Sequence, residues 1–338
     1  MRSLAVTMST EKNFEEKLET WRKEAKHGDV VTGRGVNVAG GPIPKYVGYY
    51  GEAVVRPPVW TWEIPLYFFV GGAAGMVPLL ACAGFLWGPS DLTRVALWIA
   101  TAGGIISPIL LVLDLGRPSM FLNMLRIFKH QSPMSVGAWI LFMFGSCAVP
   151  ACIAYEVHYH HFFTGGLDTF FLVVAILFTI GAAFWGLGLA TYTGVLIGAT
   201  CVPAWNLHHV LLPIHFGTAG LGCAAALLQL FGLHLRPLFF LLLTTAVAET
   251  LLWIWLEIDK HGDADRALHT GTAGLLIRGG EFFCGPLPIV LCLTNLVPFA
   301  AISFLLGAFL SRFGWINAGR VSGKDPQAVF AAQSAPYD

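Results

Sequence analysis

From residue 60 onward the chain reads as a series of apolar runs separated by short polar or Gly/Pro-containing breaks. A helix needs about 20 apolar residues to cross a bilayer, and six runs meet that length: Trp62–Trp87, Leu92–Leu113, Met134–Tyr155, Leu167–Ile197, Leu211–Phe231 and Pro237–Leu256. The fourth is long enough to run on towards Val202. The pairs Gly71/Gly75 and Gly194/Gly198 have the spacing that lets two helices approach closely. The C-terminal run Phe282–Phe313 is ambiguous, being long for one span and short for two, with Pro298 near its middle.

The first 59 residues have a different pattern. Phe14, Leu18, Trp21 and Ala25 recur at near-helical spacing among Glu and Lys, which predicts a short amphipathic helix over Thr10–His27 lying on the membrane or on a partner. Val30–Pro58 is rich in Gly, Pro and Val and reads as an extended arm. The domain reading is therefore an N-terminal arm over 1–59, a transmembrane domain over 60–316 and a polar C-terminal tail over 317–338.

Composition supports the membrane reading. The 338 residues are 56% hydrophobic and 12% charged, with mean hydropathy +0.67, against roughly 25% charged in soluble domains. The expected fold class is an all-α polytopic membrane protein in contact with lipid. Twenty basic residues balance twenty acidic ones, so there is no basic field for nucleic acid. Met1–Met8 lacks a long apolar core, and no signal peptide is expected. The seven cysteines form no CxxC pair, which speaks against iron–sulfur or zinc ligation within this chain.

Basic residues also bear on topology. With seven spans, fifteen lie on the N-terminal side and five on the other; an eighth span makes this eighteen against two. Charge favours eight spans and length favours seven. Both counts put the N-terminus and the Arg117–Lys129 loop in the cytoplasm; the expected location is a bacterial or archaeal cytoplasmic (inner) membrane.

Ionisable groups in or beside spans are costly and so are functional candidates. Asp114 stands three residues before Arg117 at the end of the second run, a spacing that allows an ion pair on one helix face. That pair has a structural or a functional reading. Glu63 stands beside Trp60, Trp62 and Tyr67, offering an acid, a phenol and apolar walls; an interfacial aromatic belt is the alternative. Glu249 lies deep in the sixth run and is, like Asp114, a proton-relay candidate, or else a buried hydrogen-bonded acid. His158, His160 and His161 fall in one loop, and His208, His209 and His215 lie around the fifth run. Most of them sit at span ends, which argues against the facing pairs that ligate haem. The loop trio could bind metal by composition, but a solvated loop is the reading taken, and no metal site is expected.

The run LDLGRPSMFLNML…SPMSVGAW (113–139) resembles the signature of the NrfD/PsrC family of polysulfide-reductase-type, quinone-interacting membrane subunits. WTWEIPLYFFVGGAAG resembles its first helix, Tyr192–Leu196 with Pro203-Ala204-Trp205 its fourth helix and following loop, and RFGWINAGRVSGKDP its last helix and tail. The resemblance spans roughly residues 60–326. It implies two four-helix bundles without haem, with menaquinone or ubiquinone bound near the start of the first helix beside an iron–sulfur subunit. A separate catalytic subunit would complete the complex, this chain not being catalytic alone. Carried over by position, Glu63 to Tyr67 contact the quinone headgroup, while Asp114, Arg117 and Trp139 fall on the shared motif. The family has eight complete spans, and this chain is short of that by about one helix between Cys284 and Phe313. The rival reading is a transporter or proton-translocating module without quinone, which discontinuous helices and inverted repeats would support; a b-type cytochrome subunit is a further alternative.

Overall fold

The computed structural model describes residues 55, 58, 60–115 and 121–334. The amphipathic helix expected over Thr10–His27, nearly all of the arm and Arg117 lie outside the described residues. What is described is helical, with no strand among the described residues. In chain order the helices are α1 (Glu63–Trp87), α2 (Ser90–Asp114), α3 (Asn123–Arg126), α4 (Pro133–Tyr159), α5 (Gly166–Gly198), α6 (Pro203–Asn206), α7 (Leu211–Leu230) and α8 (Arg236–Ile258). A 3-10 turn over Gly262–Asp265 leads into α9 (Arg266–His269), followed by α10 (Gly271–Cys284), α11 (Pro286–Leu293), α12 (Val297–Lys324) and α13 (Pro326–Ser334).

Eight units are long and apolar enough to cross a membrane, with α10 and α11 together forming one of them, Gly271–Leu293. This settles the span count in favour of charge over length. The seventh span starts eleven residues before Phe282, in a stretch whose glycines, Arg278 and Glu281 lower its hydropathy. Those glycines let α10 and α12 come close: a Cβ on Gly280 would meet the Ser311 backbone at 2.7 Å, and one on Gly314 the Ile277 side chain at 2.7 Å. Pro298 does not interrupt a span. It sits in the first turn of α12, where a missing N–H costs nothing. The break comes instead at Gly285-Pro286, between α10 and α11. The chain is thus not short of a helix, and α12 continues through residue 316 to Lys324.

The first four spans (α1, α2, α4, α5) pack on one another, as do the last four (α7, α8, α10/α11, α12). The two bundles meet where α1 touches α7 and α12 and where α5 touches α7. Gly75 of α1 lies against the backbone of Gly186 in α5, a contact that leaves no room for a side chain. Large apolar side chains such as Leu177, Phe184, Phe240 and Leu251 point outward, as lipid-facing surfaces require.

Successive spans alternate in direction, so the connections sort onto two faces. One face carries the start of α1, α3, α6, the 3-10 turn, α9 and α13; the other carries only the short links at 88–89, 160–165, 231–235 and 294–296. The sites below belong to the first, more elaborate face.

Candidate functional site

α1 is the innermost helix of the first bundle; its opening turns, with Trp60 just before them, bring Trp60, Ile64, Tyr67 and Phe68 together with the end of α2. Together with Asp114 and Leu115, Met124 of α3, Met134, Gly137 and Ala138 of α4, and Tyr192 and Leu196 of α5, they line a cavity of about 240 Å³. The lining is mostly apolar, with Asp114 and the two tyrosines among its polar side chains. Gly137 is needed here because a side chain at that position would occupy the space of the Tyr192 ring.

Asp114 is held from the chain just before α1. Its Oδ1 accepts the Thr61 backbone N–H at 3.2 Å and the Thr61 hydroxyl at 2.7 Å. The same hydroxyl touches Glu63 Oε2, and Glu63 is buried. Thr61 therefore bridges the two carboxyl groups with a single proton of its own to donate.

Beside this cavity, between α2, α3 and α4, lies a wider apolar groove of about 560 Å³. It is lined by Ile105, Pro108, Ile109, Leu122, Leu125 and Phe142 among others, and shares Leu111 and Ala138 with the first cavity. Exposure of Ile105, Ile109, Leu122 and Phe142 puts this groove on the lipid-facing surface.

Of the residues singled out in the sequence, Tyr67 and Asp114 line the cavity and Glu63 is one hydrogen bond away. Trp139 falls elsewhere. Its ring packs edge-on between Phe128 and Phe142, 6.1 and 5.9 Å away, because it lies about 100° round α4 from Ala138. Arg117 lies outside the described residues, and among the described residues Asp114 is held by Thr61. Thr61 and Tyr192 were not picked out from the sequence as site residues.

The second bundle holds a buried charged cluster. His215, one of the histidines around the fifth run, lies in the second turn of α7 with 2% exposure. Its Nδ1 is 2.6 Å from Glu249 Oε2 of α8 and its Nε2 is 2.9 Å from Ser311 Oγ of α12. Glu281 of α10 accepts the Ser311 hydroxyl at 3.0 Å and lies 3.4 Å from His215 Nε2. Glu249 also meets the Thr218 hydroxyl. Arg312 reaches His215 Nε2 at 3.3 Å, donates to the Phe216 carbonyl at 3.2 Å and stacks 3.7 Å above the Phe216 ring. With both ring nitrogens engaged, His215 has none free for haem iron. His215, Glu249 and Glu281 are close enough together to share a metal ion, but the guanidinium beside His215 works against a divalent cation.

Trp315 links this cluster to the membrane face, with His215 at 6.4 Å on one side and His208 at 5.9 Å on the other. His208 Nε2 lies 3.1 Å from Asp265 Oδ1, and the other Asp265 oxygen accepts the His261 backbone N–H at 2.7 Å and faces His261 Nδ1 at 3.0 Å. Burial alone would raise the Asp265 carboxyl, but the hydrogen bond and charge from His208, with His261, outweigh it and hold the group below the usual carboxylate range. The loop histidines belong to the opposite face. His158, in the last turn of α4, and His161 both pair with Asp168, at 3.0 and 3.6 Å.

A family model described as polysulphide reductase, NrfD, matches residues 53–238, more than half of the chain. The chain belongs to the NrfD family. Members of this family are membrane subunits of quinone-interacting oxidoreductase complexes that typically partner with iron–sulfur and catalytic subunits. The match takes in α1–α7 and the start of α8, and so the whole Asp114 cavity. Glu249, Glu281 and Arg312 lie beyond it. No curated protein matched the chain.

Proposed function

We propose that this chain binds quinone or quinol in the Asp114 cavity of its first bundle and exchanges electrons there with an iron–sulfur subunit docked on the α3/α6/α9 face. The observation that carries this reading is the adjacency of two unlike spaces. A cavity with one carboxyl group, Asp114, and two phenols at its walls shares Leu111 and Ala138 with an apolar groove open to lipid, and Glu63 stands behind Thr61 as a second acid. This is the shape and polarity needed by a small polar ring on a long apolar tail. The ring would sit by Asp114, Tyr67 and Tyr192, and the tail would leave along Ile109, Leu122 and Phe142.

A quinone is interconverted with its quinol by two electrons and two protons. The electrons would come from or go to the iron–sulfur partner, the seven cysteines of this chain forming no CxxC pair. Protons must move at the ring oxygens, and groups within hydrogen-bond reach there do that work. Asp114 is the acid in the cavity wall, Thr61 holds it in place, and Glu63 stands behind Thr61 as a second proton-holding group.

The test is quinol-linked electron transfer by the assembled complex with Asp114→Asn and Glu63→Gln, normalised to the amount of complex. Turnover should fall in both, and more in Asp114→Asn. Wild-type turnover in both variants would remove this cavity from the chemistry. A second reading, a proton-translocating module, is favoured by a specific feature: the seventh span is discontinuous at Gly285-Pro286, four residues after the buried Glu281.

A further inference from the structure

The His215 cluster contains one more buried acid than it has permanent cations. Glu249 and Glu281 each bring a negative charge and Arg312 one positive charge, so the set carries net −1 when His215 is neutral. Among the described residues, the other groups facing it are the hydroxyls of Thr218 and Ser311 and the buried thiols of Cys223 and Cys284. None of these supplies a positive charge. An uncompensated charge in a buried apolar setting is costly and is relieved by binding a proton.

A second, geometric observation points to the same place. Glu281 Oε1 is satisfied by Ser311, but Oε2 has no hydrogen-bond partner among the described residues. Between α7, α8, α10 and α12 lies a small space of about 10 Å³ lined by His215, Trp253, Glu281, Trp315 and three leucines. Three of these side chains carry a buried, unpartnered polar atom: Glu281 Oε2 and the indole N–H groups of Trp253 and Trp315. A space of about 10–15 Å³ holds one water, and buried waters typically make about three hydrogen bonds. Two indole donors and one carboxyl oxygen supply that number.

We propose that the second bundle contains a proton-binding site, separate from the quinone cavity, in which one buried water and Glu281 take up a single exchangeable proton balanced against Glu249, His215 and Arg312. Uptake converts a carboxylate to a carboxylic acid and brings the cluster from net −1 to neutral, with no other bond made or broken. His215 joins the two acids, since Nδ1 faces Glu249 while Nε2 faces Ser311 and Glu281. The proton can therefore be shared between α8 and α10 without side-chain rearrangement. Glu281 is four residues from the helix break, where the backbone of the seventh span changes course.

The site is tested by infrared difference spectroscopy of the assembled, quinone-depleted complex in lipid nanodiscs, comparing acidic with alkaline buffer in H₂O and D₂O. The expected result is a carbonyl-stretch band of a buried carboxylic acid that responds to pH and shifts in D₂O. Glu281→Gln should delete it, Glu249→Gln should shift or delete it, and Glu63→Gln should leave it. Trp253→Phe removes only one indole donor to the water and should move the band without abolishing it, which keeps the test usable if a glutamate variant fails to assemble. Spectra of Glu281→Gln and Glu249→Gln identical to wild type would overturn the proposal. A band unmoved in Trp253→Phe would overturn the water. Neither result depends on whether quinone binds at Asp114.

Discussion

Trp60 is stacked on Trp205, with ring centroids 5.6 Å apart and planes inclined by 21°. One ring walls the first-bundle cavity; the other, fully buried, donates its indole N–H to the Trp315 carbonyl of α12 at 2.8 Å. Pro203 at the start of α6 turns the chain so that Trp205 fits over Gly319, where a side chain would overlap the indole ring. The two bundles are thus joined at the face where both buried polar sites lie.

The first prediction follows from that joint. Truncating a fully buried Trp costs about 3–5 kcal/mol. Trp205→Ala should lower the thermal stability of the purified protein by that order and also reduce quinol-linked turnover, because Trp60 loses its support. Thermal unfolding followed by tryptophan fluorescence, paired with turnover per assembled complex, measures both. An unchanged melting temperature would mean that the bundles are held together elsewhere.

Gly137→Ala tests the cavity without touching a polar group. The added methyl falls on the Tyr192 ring, and overpacking of this kind typically costs about 1–3 kcal/mol. Tyr192 should be displaced into the cavity, weakening quinone-analogue binding while the complex still assembles. Binding titration with a fluorescent quinone-site inhibitor reads this directly; wild-type affinity would place the ring outside the cavity.

Thr61 separates positioning from acid–base chemistry. Loss of a general acid or base typically slows a reaction about 10²–10⁴-fold, the range expected for Asp114→Asn. Thr61→Ser keeps the bridging hydroxyl and should retain turnover. Thr61→Val keeps the volume but loses the hydroxyl, and should slow turnover while leaving quinone affinity nearly intact. Equal turnover in the Ser and Val variants would show that the bridge has no role in the reaction.

The spans and the first site were largely legible in the sequence, for different reasons. Six spans announce themselves as uninterrupted apolar runs, since lipid rewards hydropathy directly. α10 does not, because its helix is held by glycines packed on α12 and carries Glu281 and Arg278, features that read as a loop. Asp114, Glu63 and Tyr67 were visible as polar groups at span ends. Thr61 was not, because a threonine before a helix reads as an ordinary capping candidate, and its role depends on Asp114, 53 residues away. His215 was visible around the fifth run, but its burial was not: it lies in the second turn of α7, past the loop that carries His208. Its partners Glu281 and Ser311 come together only once the seventh span exists. Trp139 shares a motif with the site residues but faces another way, a distinction of about 100° per residue that motif spacing does not carry.

Eight spans place both ends of the membrane domain on one side, and the charge asymmetry predicts that side to be cytoplasmic. A reporter fused at His160, in the short link between α4 and α5, should then read as non-cytoplasmic. One fused after Lys324 should read as cytoplasmic. The reverse pattern would invert the orientation and move the Asp114 cavity, with its partner face, to the other side of the membrane.

Asp265 gives a pH dependence whose sign is fixed by its surroundings. It is 1% exposed, with both oxygens engaged by His208 and His261, and its carboxyl is held below the ordinary value. A depressed pKa in the folded state means that folding favours the carboxylate. The associated stability is fully present above the unfolded-state value of 3.8 and is lost as pH falls through the lower folded value. Each unit of depression contributes about 1.4 kcal/mol. Acidification should therefore loosen the 3-10 turn and α9, together with α13, which packs on the turn and is tied to α9 by the 2.8 Å Arg266–Asp325 pair. Hydrogen exchange across residues 259–270 and 325–334 from neutral pH down to about pH 3, corrected for the intrinsic rate, should show protection falling at the acid end. In Asp265→Asn protection should already be reduced at neutral pH and should change little on acidification. The same acid-dependent loss in that variant would assign the effect to another group.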